Sequence, residues 1–207
     1  MSLFQNLLHF FTKREQGTAP PKLTICFNNE TVLHFENMIQ RKKTFPVFTT
    51  SVPIRMENFP FGADMSKVTE RKGPPHCINN DRFGDEMIEI FGYRESILNL
   101  PAKILFFTCR KNYFFGEYQF TGKFRDVQAE LARTILAKYE TGSKDPADSF
   151  YIVDGEGALL GFYDDGFSLF IKYYKPDPCV HPFLMTQFKD KNSAAAERDI
   201  SELENRL

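Results

Sequence analysis

Histidine and cysteine are the residues here best suited to metal binding or catalysis, and their spacing brings no two of them together within one local motif. The four histidines, His9, His34, His76 and His181, fall in separate stretches. None forms the H-x-x-x-H or H-E-x-x-H spacing that puts two ligands on one helix face. The four cysteines, Cys26, Cys77, Cys109 and Cys179, include no C-x-x-C pair, which argues against a structural zinc site or a thioredoxin-type couple. Cys26 and Cys109 sit in apolar runs and read as small buried hydrophobes. Reduced thiols are the simpler expectation, with two disulfides as the alternative. Cys77 adjoins His76, but neighbours in an extended chain point to opposite faces, so they do not form a nucleophile and its base. A hydrolytic or small-ligand site would have to be assembled from distant residues such as His34, His76 and nearby carboxylates.

The carboxylates cluster at two turns, Asp154-Gly155-Glu156-Gly157 and Asp164-Asp165-Gly166. Neither has the length or the 1, 3, 5, 7, 9, 12 ligand pattern of an EF-hand loop, and tight hairpin turns explain them more simply. There is no G-x-S-x-G elbow, phosphate-cradling loop or nucleotide fingerprint. Gly84, Gly92 and Gly116 are single glycines beside or within strand patterns, where bulges are the ordinary explanation. No catalytic residue, cofactor-binding residue or metal ligand is therefore assigned, and no cofactor is expected.

Composition narrows the partners. The 207 residues carry 26 basic and 27 acidic side chains, net −1, and Arg14, Arg41, Lys42 and Lys43 form no extended stripe. Nucleic-acid binding, which needs clustered positive charge, is not expected. Residues 1–12 are apolar but have no leading Lys or Arg, are interrupted by Gln5, Asn6 and His9, and lack a small-residue cleavage site. Nothing approaches the roughly 18 apolar residues of a membrane span. A cytoplasmic protein is the resulting expectation. The 23 Phe and absent Trp imply a core built from aromatic rings, each burying roughly 150–250 Å².

The elements that must position these residues read as α+β. Residues 1–16 form an amphipathic N-terminal helix with Leu3, Leu7, Phe10 and Phe11 on one face, and residues 17–21 a Gly/Pro linker. Lys22–Phe27 and Thr31–Phe35 read as a strand and its return across Asn28-Asn29. Prolines 46, 53 and 60 confine Val47–Thr50 to a sheet edge. Glu86–Tyr93, Lys103–Cys109 and Tyr113–Phe120 form a first hairpin series, rich in β-branched and aromatic residues. Phe150–Val153, Ala158–Tyr163 and Phe167–Tyr174 form a second. Between them lies the main amphipathic helix, residues 126–139, capped by Asp126, with Val127, Leu131, Ile135 and Tyr139 on one stripe and Gln128, Glu130, Arg133 and Lys138 facing away. Pro176, Pro178 and Pro182 end regular structure. A single domain then spans residues 22–182, followed by a helical tail at 188–207 whose apolar stripe is a candidate for self-association. The fold class is an antiparallel sheet of two hairpin series with the main helix packed on it and short flanking helices.

One short segment has a recognisable pattern. Gly62–Pro75 reads G-A-D-M-S-K-V-T-E-R-K-G-P-P, with Asp64 or Ser66 placed to cap a two-turn helix around Val68 and Gly73 to end it. Its Gly62, Val68, Gly73 and Pro75 resemble the helix-turn signature of BamE-like lipoprotein domains, with Lys72 at the family's apolar position. Those domains, and the related β-lactamase-inhibitor-protein-like folds, pack short helices on an antiparallel sheet and bind other proteins. The resemblance covers fourteen residues. It implies a similar layer architecture and a protein partner.

The surplus aromatics point the same way. Tyr113, Phe114, Phe115, Tyr118 and Phe120 cannot all face one side of a strand, nor can Tyr173 and Tyr174. Either helices cover both faces of the sheet or one face is a binding surface. On the second alternative Tyr113, Phe115, Tyr118 and Tyr173 are the partner-binding residues. The leading expectation is a non-catalytic bacterial protein-binding module of inhibitor or immunity type. The alternative is a small-ligand-binding protein or hydrolase.

Overall fold

A computed structural model describes residues 31–40, 44–143 and 147–189. The chain is α+β, built on one eight-stranded sheet in the order β1-β6-β7-β8-β5-β4-β3-β2. The strands are β1 (Val47–Thr50), β2 (Cys77–Phe83), β3 (Glu86–Ile97), β4 (Leu100–Cys109), β5 (Asn112–Phe120), β6 (Phe150–Asp154), β7 (Leu159–Asp164) and β8 (Leu169–Tyr174). The helices are α1 (Thr31–Ile39), α2 (Met65–Lys72), α3 (Arg125–Lys138) and α4, residues 181–189.

The sheet is mostly antiparallel but not purely so, which corrects the expectation. β1 pairs in parallel with β6, Val47 opposite Tyr151 and Thr50 opposite Asp154. A parallel neighbour needs a long crossover, and here the connection runs through α2, β2–β5 and α3. Pro46 and Pro53 flank β1, and it forms an edge of the sheet, the location that tolerates prolines. Every other pairing is antiparallel.

Both faces of the sheet are covered. On the first face α2 and α3 bring Met65, Val68, Leu131, Ala132, Ile135 and Leu136 against Ile104, Phe106, Tyr118, Phe120, Phe150, Phe162 and Ile171. On the second face α1 and α4 bring Phe35, Met38, Leu184 and Phe188 against Ile88, Ile90, Leu105, Phe107, Phe115 and Tyr151. The two layers meet through β5. The register against β4 shifts between Phe107, opposite Phe115, and Thr108, opposite Tyr113, which leaves Phe114 as an extra residue. This irregularity sends Tyr113 to the first core and Phe114 and Phe115 to the second, so a run of three aromatics is buried without exposing one of them.

Several local expectations change. Thr31–Phe35 is the start of helix α1, not a strand. Its Phe35 and Met38 are one helical turn apart and both buried, a spacing that period-two reading passes over. α3 begins after Phe124, with no side-chain cap, and Asp126 lies inside the first turn, where its charge suits the helix dipole. Gln128 does not face away: it is buried, and its amide donates to the Asp148 carbonyl at 3.1 Å and to Asp164 Oδ2 at 3.0 Å. Pro182 does not end regular structure; it stands in the first turn of α4, where its missing N–H has no intrahelical partner to lose. α2 is capped by Asp64, whose side chain accepts from Ser66 N, and ends at Gly73 with φ 80°. The helix of residues 1–16, the linker, the Lys22–Phe27 strand and residues 190–207 of the tail, with its self-association, lie outside the described residues.

Candidate functional site

Two features stand apart from ordinary core packing: a charged group buried on the second face, and a partly exposed face of the β2–β3 edge hairpin that carries apolar side chains. The first begins with strand periodicity. Glu117 follows Phe115 on the same face of β5, and Lys172 lies between Phe170 and Tyr174 on β8, directly opposite Glu117 in the register. α1 covers both. His34 Nδ1 lies 2.8 Å from Glu117 Oε2, and because a carboxylate only accepts, the ring proton sits on Nδ1. Lys172 Nζ lies 3.1 Å from the same oxygen and donates to the His34 main-chain carbonyl at 2.8 Å.

Glu117 is fully buried and Lys172 nearly so, whereas the His34 side chain is 20% exposed. Burial alone would raise the Glu117 carboxyl. The charges of His34 and Lys172 and their hydrogen bonds overcome it and hold the group down at about 2. Burial likewise opposes the charge on Lys172, but Glu117 and Tyr163 push it above the usual lysine range. Lys103, half-buried nearby, is lowered by desolvation despite its attraction to Glu117. Glu117 Oε1 meets no hydrogen-bond donor among the described residues. The group pins α1 to the sheet: at Gly161 an added Cβ would come 2.7 Å from Met38 Sδ, so helix and sheet are in close contact there. Chemically it is a carboxylate-oriented imidazole, the arrangement that tunes a base or fixes a tautomer.

The second feature comes from the β2–β3 register. Ile78 is opposite Phe91, Asn80 opposite Glu89 and Arg82 opposite Met87, so these six side chains share one face. Ile78 is 38% and Met87 54% exposed, while Phe91 is half-buried against the first core. β2 is the last strand of the sheet. Ile78 and Met87 belong to neither apolar core. Phe167, 87% exposed, is a lone side chain at the β7–β8 turn, and scattered single exposures are normal.

The residues singled out from the sequence fall elsewhere. Tyr113, Phe115, Tyr118 and Tyr173 are 0, 0, 3 and 6% exposed, so none is available to a partner; the alternative in which helices cover both faces is the one the fold adopts. The Tyr118 hydroxyl donates to Glu57 Oε1 at 3.0 Å, and Glu57 in turn binds Lys72 Nζ at 2.7 Å, which also meets Glu95 at 2.6 Å. His34 and His76 are not brought together. His34 packs on Phe107 of the second core, whereas His76 packs edge-on to Tyr93 of the first. His181 bonds Tyr174 OH; His9 is outside the described residues. The acidic turns serve the backbone: Asp154 Oδ1 accepts from Glu156 N and Ala158 N and Oδ2 from Ile54 N, all at 2.9 Å. Asp165 Oδ1 accepts from Phe167 N and Ser168 N.

Among the described residues, no three His, Cys, Asp or Glu side chains are grouped to hold a metal ion. No helix among them is long and apolar enough to cross a membrane. Cys77 is disulfide-bonded, against the expectation of reduced thiols, while Cys109 and Cys179 are free. Sequence reading missed Glu117 and Lys172. The available signal was a charge inside an aromatic strand, in Y-F-F-G-E-Y-Q-F and in L-F-I-K-Y-Y. Compared with protein family models, curated proteins and solved structures, the chain matches none.

Proposed function

We propose that the chain is a non-catalytic protein-binding module of inhibitor or immunity type that docks its partner on the face of the β2–β3 hairpin that carries Ile78, Met87 and Phe91. The supporting observation is one face of this edge hairpin, where Ile78 and Phe91 lie at one end, Met87 beside Arg82 lies at the other, and the Asn80–Glu89 pair lies between them. Apolar side chains interleaved with polar ones fit a non-obligate interface, which as a whole is only about as apolar as the rest of a protein surface. The local resemblance of Gly62–Pro75 to BamE-like domains favours the same reading. Cellular compartment belongs to the proposal too, and the Cys77 disulfide favours an oxidising one over the cytoplasm.

The test is a quantitative capture from extracts of the source organism with wild type, the double variant I78K/M87E, and F167S as a surface control. A protein held by wild type and F167S but weakened about tenfold or more by I78K/M87E supports the reading, since a buried interface anchor contributes about 1 kcal/mol or more. Equal capture by all three, with unchanged melting of the variants, refutes it.

The His34–Glu117 pair favours a second reading, a small-ligand or hydrolytic site. The described cleft of about 330 Å³ near α1 and α4 is lined by Ile39, Gln40, Met185, Phe188 and Lys189, and so offers one titratable group. This reading requires a turnover or a ligand-induced shift that His34→Gln abolishes in a folded protein.

A further inference from the structure

We propose that Cys109 and Cys179 are a redox pair whose closure into a disulfide clamps α4 onto the sheet. Cys109 ends β4 and points to the second face, following Leu105 and Phe107. Cys179 lies five residues beyond β8, in the turn that enters α4. β5 joins these two places: Cys109 is opposite Asn112, and Lys175 N donates to the Phe114 carbonyl. Both thiols therefore lie at one end of the sheet, on one face, in contact with one apolar cluster. Both are free, in a chain whose Cys77 is already bonded.

Their surroundings differ in a way that orders the steps. Cys109 is buried, and its thiol donates to Glu86 Oε2 at 3.5 Å, the carboxylate that also binds Arg110. Burial pushes this thiol up to about 12, with Glu86, Asp177 and Cys179 adding to the effect. Cys179 is partly exposed, in a turn whose Asp177 Oδ1 accepts from Cys179 N and Val180 N. The accessible thiolate is the first nucleophile. With a disulfide oxidant, Cys179 sulfur attacks one sulfur of the oxidant, forming a mixed disulfide and expelling one thiolate. Cys109 then loses its proton to solvent as its sulfur attacks Cys179 Sγ, and the second thiolate leaves. Two protein thiols and one oxidant disulfide become one protein disulfide and two small thiols. The bond joins residues seventy apart and ties the α4 entrance to the β4–β5 end of the sheet.

The test treats the whole chain with oxidised glutathione and follows intact mass and disulfide-linked peptides. Support is a peptide pair joining Cys109 to Cys179, absent from Cys179→Ser, with slower hydrogen exchange in residues 181–189 after closure. Glu86→Gln, which removes a charge that holds the Cys109 thiol protonated, should close faster than wild type. A stable mixed disulfide at Cys179 in wild type would overturn the proposal. So would a Cys109–Cys179 link that forms only in denaturant. Closure of Glu86→Gln at the wild-type rate would overturn the role of Glu86.

Discussion

Replacing Glu117 by Gln keeps the shape of the side chain and removes its charge, leaving Lys172 buried at 5% side-chain exposure without a counterion. The cost can be reached by two routes. The Glu117 carboxyl is held at about 2 against an ordinary 4.5, and each unit of that difference is worth about 1.4 kcal/mol, so the pairing contributes about 3 kcal/mol. Independently, breaking one side of a buried ion pair costs about 3–5 kcal/mol. The sign follows from a depressed carboxyl: its contribution is complete above about pH 4.5 and disappears as pH falls toward 2. Urea unfolding of wild type and Glu117→Gln at a series of pH values measures this directly. At pH 7 the variant should lose about 3 kcal/mol with an unchanged m-value, and the gap should close between about pH 4.5 and 2. Adding Lys172→Met to Glu117→Gln should restore most of the loss, because it removes the stranded charge. A loss under about 1 kcal/mol, or a gap that stays constant across that pH range, refutes the reasoning.

Two further substitutions test how the elements are tied together. Asp154→Ala would leave three main-chain N–H groups, those of Ile54, Glu156 and Ala158, without their acceptor at a buried site, and should cost about 2–3 kcal/mol in the same unfolding assay. A calcium titration of wild type should leave the melting temperature unmoved, since these carboxylate oxygens are already occupied by the backbone. Gly161→Ala drives a methyl to 2.7 Å from Met38 Sδ in a well-packed layer, which should cost about 1–3 kcal/mol. Its signature should be faster hydrogen exchange confined to α1, and an unchanged α1 would show that the helix is not held at this point.

The sequence carried the local elements well where one period dominates. Val127, Leu131 and Ile135 repeat every four residues and lie in α3, and Asp64 and Gly73 bound α2 because cap chemistry is a short-range property. It also carried the α+β class and the edge placement of Val47–Thr50, since prolines exclude that segment from a sheet interior. It did not carry the parallel β1–β6 pairing, because the connection is a hundred residues long and no local pattern encodes it. Phe35 and Met38 became helical because the second face of the sheet had to be covered, a requirement visible only once the sheet exists. The same covering explains why Tyr113, Phe115, Tyr118 and Tyr173 are buried and Ile78 and Met87 are not: alternation tells which residues share a face, but only the helices laid across that face decide whether it meets water. Likewise, Glu117 and Lys172 are unremarkable as charges in the sequence. Their pairing across β5 and β8 and with His34, beneath α1, is a product of strand order, and strand order belongs to the tertiary fold.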